Sequence, residues 1–103
     1  MTPEGRIKAK VKKVLDALGA SWHMPVSTGF GKAGIADFVG CLQGKYFEIE
    51  CKANGNKPTA LQLAHAAEVR RAGGVWLLID DTNVHCTQQE LLTCLTQNVS
   101  AMD

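Results

Sequence analysis

The feature that most constrains this chain is a pair of β-prone segments on either side of a two-residue turn. The segments cover residues 35–42 and 45–52, both rich in β-branched and aromatic side chains, and Gln43-Gly44 separates them. Two such runs joined by a short glycine-containing loop are typical of a β-hairpin. A hairpin with a two-residue loop also fixes which residues face each other, so the turn predicts the register of the whole pair.

That register has a chemical consequence at the open end of the hairpin. A two-residue loop pairs Leu42 with Lys45, and stepping back along the pair brings Asp37 opposite Glu50. A four-residue loop would give the same pairs, whereas an odd-length loop would not. Directly opposed side chains have Cβ atoms roughly 4.5 to 5.5 Å apart, and like charges at that spacing repel. We therefore expect a nearby positive charge to offset the repulsion.

The period-two alternation of a strand separates the hairpin into an apolar face and a face carrying charge. The charged face holds Asp37, Glu48, Glu50 and Lys52. A hard divalent cation such as Mg²⁺ or Mn²⁺ commonly bridges paired carboxylates and a substrate phosphate. Lys52 could partly neutralise the pair and hold or activate an attacking water. The alternative is a solvated strand face with an ordinary Glu/Lys ladder, which the E-x-K triplet alone would favour.

The order of these residues along the chain carries a family resemblance. The runs Gly34-Ile35-Ala36-Asp37, Phe47-Glu48-Ile49-Glu50-Cys51-Lys52 and Thr59-Ala60-Leu61-Gln62 resemble the PD-(D/E)xK nuclease superfamily. Within it, the chain is most similar to the small stand-alone VRR-NUC domains, which are found in phages and are related to Holliday-junction resolvases. The likeness runs from Glu4 to the segment Val75–Ile79, and Ala36 replaces the superfamily's proline before the aspartate.

The resemblance implies an α/β restriction-endonuclease-like fold, ordered α-β-β-β-α-β, with a mixed central sheet flanked by helices. It also implies a Mg²⁺- or Mn²⁺-dependent endodeoxyribonuclease that acts on branched DNA, as a homodimer resolving four-way junctions. Glu48 is left outside the core site. The metal ligands would be Asp37, Glu50, Glu4 and the backbone carbonyl of Cys51, and the catalytic residues would include these three acidic side chains with Lys52 and Gln62.

Two of these residues also have purely structural interpretations. Glu4 lies on the inward stripe of the first helix with Ile7 and Val11, but an acidic residue in a first turn also favours the helix dipole. Thr59-x-x-Gln62 is a capping box, which would explain the glutamine without catalysis. A single glutamine side chain is not expected to serve the cap and the active site together.

Composition limits the size and the partners of the protein. With 103 residues, 46% of them hydrophobic, and a net charge of +1, the chain is expected to form one domain over residues 1–103. Five of the eleven basic residues lie within the first thirteen positions. Such residues form solvated ridges on many helices, but beside a nuclease site they would attract the DNA backbone. The predicted DNA contacts are Lys8, Lys12, Lys32, Lys57 and Arg70.

Other classes of function are disfavoured by what the sequence lacks. The chain has no apolar run long enough for a membrane span and no signal-like beginning, so we expect the cytoplasm of a bacterial or phage-infected cell. Gly31-Lys32 does not complete a Walker motif, so no nucleotide cofactor is predicted. The four cysteines lack metal-binding spacing and are expected to be reduced, and the three histidines are expected to be surface or partly buried side chains.

The remaining pattern predicts the elements around the hairpin. Glycine pairs and apolar stripes delimit two helices, and a strand, helix, strand order implies a right-handed parallel crossover. The predicted elements are a helix from Pro3 to Gly19, a strand over residues 21–26, a helix over residues 59–71, a strand over residues 75–79 and a terminal helix opened by a capping box at Thr87.

Two further functions remain open on the sequence. One is a catalytically silent DNA-binding or assembly module of the same fold, against which the intact Asp37, Glu50 and Lys52 set argues. The other is a nuclease that acts on flaps or single strands.

Overall fold

The computed structural model describes residues 1–26 and 33–100, so the predicted DNA contact Lys32 and most of its glycine-rich loop lie outside the described residues. The order of elements agrees with the predicted α-β-β-β-α-β arrangement followed by a terminal helix. The elements are α1 (Pro3–Leu18), β1 (Ser21–His23), β2 (Phe38–Leu42), β3 (Lys45–Cys51), α2 (Ala60–Arg71), β4 (Val75–Ile79), a 3₁₀ turn (Val84–Cys86) and α3 (Thr87–Ser100).

The predicted hairpin and its register are confirmed. β2 and β3 are antiparallel, with pairs running from Leu42–Lys45 at the turn to Phe38–Ile49 at the open end. Gln43 and the following glycine both have positive φ angles, 54° and 78°. Two successive positive φ angles make a turn whose twist matches that of the flanking strands. The two-residue loop therefore sets the register.

The four strands form one mixed sheet in the order β1-β2-β3-β4. β1, β2 and β3 are joined antiparallel, whereas β4 runs parallel to β3 after the crossover through α2. α1 and α3 cover one face, where the main apolar core lies, and α2 covers the other. The core under α1 and α3 includes Val11, Leu15, Phe38, Phe47, Ile49, Ile79 and Leu91.

Three strands are shorter than predicted, β3 only by its last residue, since it ends at Cys51. β1 ends at His23, two residues before Pro25, which cannot donate a hydrogen bond to a sheet. β2 begins at Phe38, so Asp37 lies immediately before the strand and not within it. As a result, the backbone N–H of Asp37 is available to a side chain, which matters for the site.

The helix ends were predicted correctly for α1 and wrongly for α3. α1 begins after the Thr2 cap, whose hydroxyl oxygen accepts from the Gly5 N–H, and it ends at Gly19 with φ of 76°. Thr87, by contrast, already has helical angles, and its hydroxyl donates to the Val84 carbonyl at 2.7 Å. The predicted capping box at Thr87 is therefore wrong, because the chain enters α3 through the preceding 3₁₀ turn.

The four cysteines are free, as predicted, and they differ in exposure: Cys41 is exposed, Cys51 is buried, and Cys86 and Cys94 are intermediate. In the part of the chain that the structure describes, no helix has both the length and the apolar character that a membrane span requires.

We expect Gly40→Ala to lower the free energy of unfolding by about 1 to 3 kcal/mol, the usual cost of overpacking. A Cβ at Gly40 would press on the Ser21 carbonyl oxygen of β1 and lie 2.8 Å from Phe47 Cζ. Urea denaturation measures the change, and Cys41→Ala at the exposed neighbouring position is the control. Equal stability of the two variants would contradict this close packing.

Candidate active site

Asp37 and Glu50 lie together at the open end of the hairpin and are joined through the backbone. The Asp37 N–H donates to Glu50 Oε1 at 3.2 Å, and the Cys51 N–H donates to Asp37 Oδ2 at 2.8 Å. The backbone of β2's entry thus holds the Glu50 carboxylate, and the backbone of the residue after Glu50 holds the Asp37 carboxylate. The structure places the two acidic side chains side by side, as the hairpin register predicted.

Lys52 and Gln62 meet the same carboxylate oxygen. Lys52 Nζ lies 3.2 Å from Glu50 Oε2, and Gln62 Nε2 donates to that oxygen at 2.7 Å. Gln62 also completes the capping box of α2, since its Oε1 accepts from the Thr59 N–H at 2.8 Å. The expectation that one glutamine could not serve both partners is therefore wrong. The two ends of the amide point to different partners, so the cap itself aims the amide nitrogen at Glu50.

Lys8 and Glu4 form the α1 side of the site. Lys8 Nζ lies 3.3 Å from Glu4 Oε2 and 3.5 Å from Asp37 Oδ1, so the ammonium bridges the two carboxylates. Burial alone would lower the pKa of Lys8, but the nearby charge of Asp37 and the hydrogen bond to Glu4 outweigh it and raise that pKa. Lys8 was predicted to be an exposed DNA contact, like Lys12. Instead it turns toward Asp37, while Lys12 is exposed.

The electrostatics of Glu50 reflect its crowding. Burial and the adjacent charge of Asp37 raise the pKa of Glu50, while the hydrogen bond and positive charge of Lys52 oppose the rise. Only 2% of Glu50 is exposed. Because a raised carboxyl pKa means that the ionised form is disfavoured by its surroundings, this site holds negative charge at a cost that a bound cation would relieve.

The sequence interpretation missed a second buried acid–base pair. Glu48 is 1% exposed, and its Oε2 accepts a hydrogen bond from His65 Nε2 at 2.9 Å and another from the Tyr46 hydroxyl. His65 lies on α2 and is buried, contrary to the expected surface or partly buried position. Neither spacing nor composition indicated the pair, because the two residues meet only when α2 packs on the sheet.

The donor set suits a hard cation, although the fold brings together fewer side chains than predicted. Asp37 and Glu50 supply adjacent carboxylate oxygens, which Mg²⁺ and Mn²⁺ prefer. Glu4 reaches them only through Lys8. Within residues 1–26 and 33–96, no group of three or more His, Cys, Asp and Glu side chains is clustered closely enough to hold a metal ion. The residues that fit a metal are therefore the two central carboxylates.

The predicted DNA contacts are spread over different surfaces. Lys12 and Lys57 are exposed, on α1 and in the loop before α2. Arg70, near the end of α2, donates to the Trp76 carbonyl at 3.2 Å and lies 5.4 Å from the centre of the Trp76 ring. Its guanidinium is therefore already engaged within the protein.

Comparison with known proteins identifies the fold. A solved chain described as a VRR_NUC domain matches with a TM-score of 0.68 and 26% sequence identity, over 82% of this chain and 92% of that chain. No protein family and no curated protein matches the sequence. The structural match supports a nuclease-like VRR-NUC domain with a restriction-endonuclease-like fold, as the sequence resemblance predicted.

We expect the stability of the wild type relative to Glu50→Gln to fall as pH rises. The folded-state pKa of Glu50 is raised from its ordinary value of 4.5, so folding favours the protonated carboxyl. The stability that this protonated form provides is fully present below pH 4.5 and is lost as the pH rises through the folded-state pKa of Glu50. Urea denaturation in EDTA from about pH 4 to about pH 7.5 measures the difference. Asp16→Asn, at an exposed carboxyl, is the control. A difference that does not change with pH would contradict the assignment.

Proposed function

We propose that this chain is a divalent-metal-dependent endodeoxyribonuclease that hydrolyses phosphodiesters in branched DNA, with four-way junctions as its substrate and a homodimer as its working form. The observation that supports it most directly is that the Lys52 ammonium and the backbone N–H of Asp37 both contact the Glu50 carboxylate, with the Asp37 carboxylate held beside it by the Cys51 N–H. Two oxygen-donor carboxylates beside one ammonium suit hydrolysis of a phosphate ester. The structural likeness to a VRR_NUC domain supports the same class of reaction.

Asp37 and Glu50 would hold the metal, with the Cys51 carbonyl as a further ligand. When bound, a Mg²⁺ or Mn²⁺ ion would polarise the phosphate and offset the charge that develops during cleavage. The raised pKa of Glu50 supports this assignment, because two buried neighbouring carboxylates gain most from an added cation. Metal dependence is also what the sequence resemblance to VRR-NUC nucleases implies.

Lys52 would act on the attacking water. The Lys52 side chain is 17% exposed, and its Nζ lies 3.2 Å from Glu50 Oε2, so its position is set by a carboxylate that would also bind the metal. A fixed donor there can orient a water molecule toward the phosphorus and polarise it. Gln62 would keep Glu50 in place, since its amide donates to Glu50 while the other end is fixed by the helix cap.

Glu4 and Lys8 would adjust the charge of the site from α1. Lys8 bridges Glu4 and Asp37, so it offsets the charge of both carboxylates. Glu4 would be a further ligand of the metal, and the Lys8 ammonium would contact a DNA phosphate. Both roles rest on the short distance between α1 and the open end of the hairpin.

Dimerisation follows from the chemistry of junction resolution. Resolving a four-way junction requires two cuts in strands of the same polarity, and the described residues form one Asp37–Glu50–Lys52 site per chain. Two copies related by a two-fold axis would present two such sites to a substrate that is itself two-fold symmetric. Junction cleavage by a dimer is therefore the arrangement that the proposed site favours.

We expect Asp37→Asn and Lys52→Ala to reduce cleavage about 100-fold or more, the usual range for loss of a general acid or base or of an essential charge. Both variants should still bind DNA, because neither removes an exposed basic side chain. The measurement is cleavage of labelled four-way junction, flap, single strand and linear duplex with Mg²⁺, Mn²⁺ or EDTA. Binding is followed in parallel by gel shift.

Asp16→Asn is the matched control for Asp37→Asn, since Asp16 is exposed and accepts a hydrogen bond from Trp22 Nε1, which asparagine can also do. Cleavage by Asp37→Asn at the control rate would overturn the site. Junction binding without cleavage by the wild type under every metal would favour the silent DNA-binding module. Preferred cleavage of flaps or single strands would replace the proposed substrate.

We expect Lys57→Ala to weaken DNA binding. The slope of log affinity against log salt concentration should become shallower by about 1. Lys57 is exposed in the loop that follows Lys52. Arg70→Ala should change the slope less, because Arg70 already contacts Trp76. Fluorescence anisotropy over a salt series measures both slopes. A larger effect at Arg70 than at Lys57 would place the DNA at the end of α2 that carries Arg70.

A further inference from the structure

Glu48 is a buried carboxylate that the proposed reaction does not use. It lies two residues before Glu50 on the same face of β3, beneath α2, and is 1% exposed. Removing a carboxylate from water costs several kcal/mol unless hydrogen bonds and opposite charges compensate it. Such a group needs an explanation, because a strand face under a helix is more cheaply filled by apolar side chains.

Glu48 links α2 to the segment that carries Asp37. Its Oε1 accepts from the Ala36 N–H at 3.3 Å, while Oε2 accepts from the Tyr46 hydroxyl and from His65 Nε2. An ionised carboxylate only accepts hydrogen bonds, so with Glu48 ionised the donor in this contact is His65 Nε2. His65 Nδ1 lies 3.4 Å from Glu68 Oε2, on the other side of the ring.

Glu48 and Glu50 act on successive residues of that segment. Glu48 Oε1 accepts from the N–H of Ala36, and Glu50 Oε1 accepts from the N–H of Asp37. Ala36 and Asp37 precede β2, so the sheet pairs given for β2 and β3, which end at Phe38–Ile49, do not include them. Alternate side chains of β3 thus take the place of sheet hydrogen bonds and hold the backbone just before the catalytic aspartate.

We propose that Glu48 and His65 are positioning residues for Asp37. Glu48 holds the backbone of Ala36, and His65 holds Glu48 from α2, the same helix that aims Gln62 at Glu50. The helix therefore reaches both central carboxylates, Glu50 directly and Asp37 through Glu48 and Ala36. This inference rests on the proposed function for its effect on cleavage, whereas its effect on the backbone can be measured without activity.

A purely structural role would have different consequences. If Glu48 only helped α2 to pack on the sheet, its loss would destabilise the whole fold and speed the exchange of many amides together. A positioning role predicts a local change at Ala36 and Asp37, combined with a loss of turnover in protein that remains folded. Displacing a reacting group by about 1 Å can cost about 100-fold in rate without weakening substrate binding.

The test compares Glu48→Ala, Glu48→Gln, His65→Ala and the control Asp16→Asn. Amide hydrogen exchange is followed by NMR in EDTA. Cleavage of junction DNA gives kcat and KM, and calorimetry gives the Mn²⁺ affinity. All measurements are made well below the melting temperature of each variant. In Glu48→Ala we expect exchange at Ala36 and Asp37 about tenfold faster, with β4 amides such as Leu77 unchanged. We also expect kcat to fall about 100-fold, KM to change less than about threefold, and Mn²⁺ binding to weaken.

Glu48→Gln should recover much of the loss, because its Oε1 can still accept from Ala36. His65→Ala should give an intermediate effect, since Glu48 keeps Ala36 but loses its contact with α2. If Glu48→Ala does not fold, the remaining proteins decide the question. We expect the exchange rate of the Ala36 amide to rise, and kcat to fall, in the order wild type, Glu48→Gln, His65→Ala. Wild-type exchange at Ala36 and Asp37 with wild-type kcat in these variants would overturn the proposal, as would equal acceleration of all amides.

Failure of the proposed function would look different. A wild type that cuts no DNA and binds no Mn²⁺ would reject the nuclease, while faster exchange confined to Ala36 and Asp37 would still support the positioning role. Full cleavage by wild type and by Glu48→Ala alike would reject the positioning role and leave the nuclease intact.

Discussion

The carboxylate of Glu50 joins three parts of the fold that are distant in sequence. Its Oε1 accepts from the backbone before β2, and its Oε2 contacts both the lysine after β3 and the glutamine in the first turn of α2. At 2% exposure these contacts are shielded from water, so they are stronger than the same contacts at a surface. The relative positions of Asp37, Lys52 and Gln62 all depend on this one side chain.

The α2 face of the sheet shows that the fold keeps costly groups where function needs them. Glu48 and Glu50 alternate with core residues along β3 and pair with Trp76 and Leu78 of β4, which are apolar. Leucine or valine at both acidic positions would satisfy the packing of a helix on a sheet at lower cost. Sequences depart from the locally consistent choice mainly at functional sites. The acidic side chains under α2 are such a departure.

The predictable parts of this structure are those set by local rules. The Gln43-Gly44 turn fixed the register, and with it the neighbours Asp37 and Glu50, because side-chain direction alternates strictly along a strand. The contacts of Lys8 and His65 depend on how α1 and α2 pack on the sheet, so helical spacing alone could not show them. For Gln62, the capping box predicts the contact of Oε1 with Thr59, whereas the contact of Nε2 with Glu50 depends on how α2 packs on the sheet.

Charge balance explains why lysines and carboxylates are mixed at the open end of the hairpin. Glu4, Asp37 and Glu50 face Lys8 and Lys52, so with all five ionised the group carries one net negative charge. Adding the proposed divalent cation and the single negative charge of a DNA phosphodiester brings the total to zero. Neutrality lowers the cost of enclosing charge in a low-dielectric site. Without Lys8 and Lys52, the three carboxylates would leave one net negative charge even with the cation bound, and this charge would repel the phosphate on which the site acts.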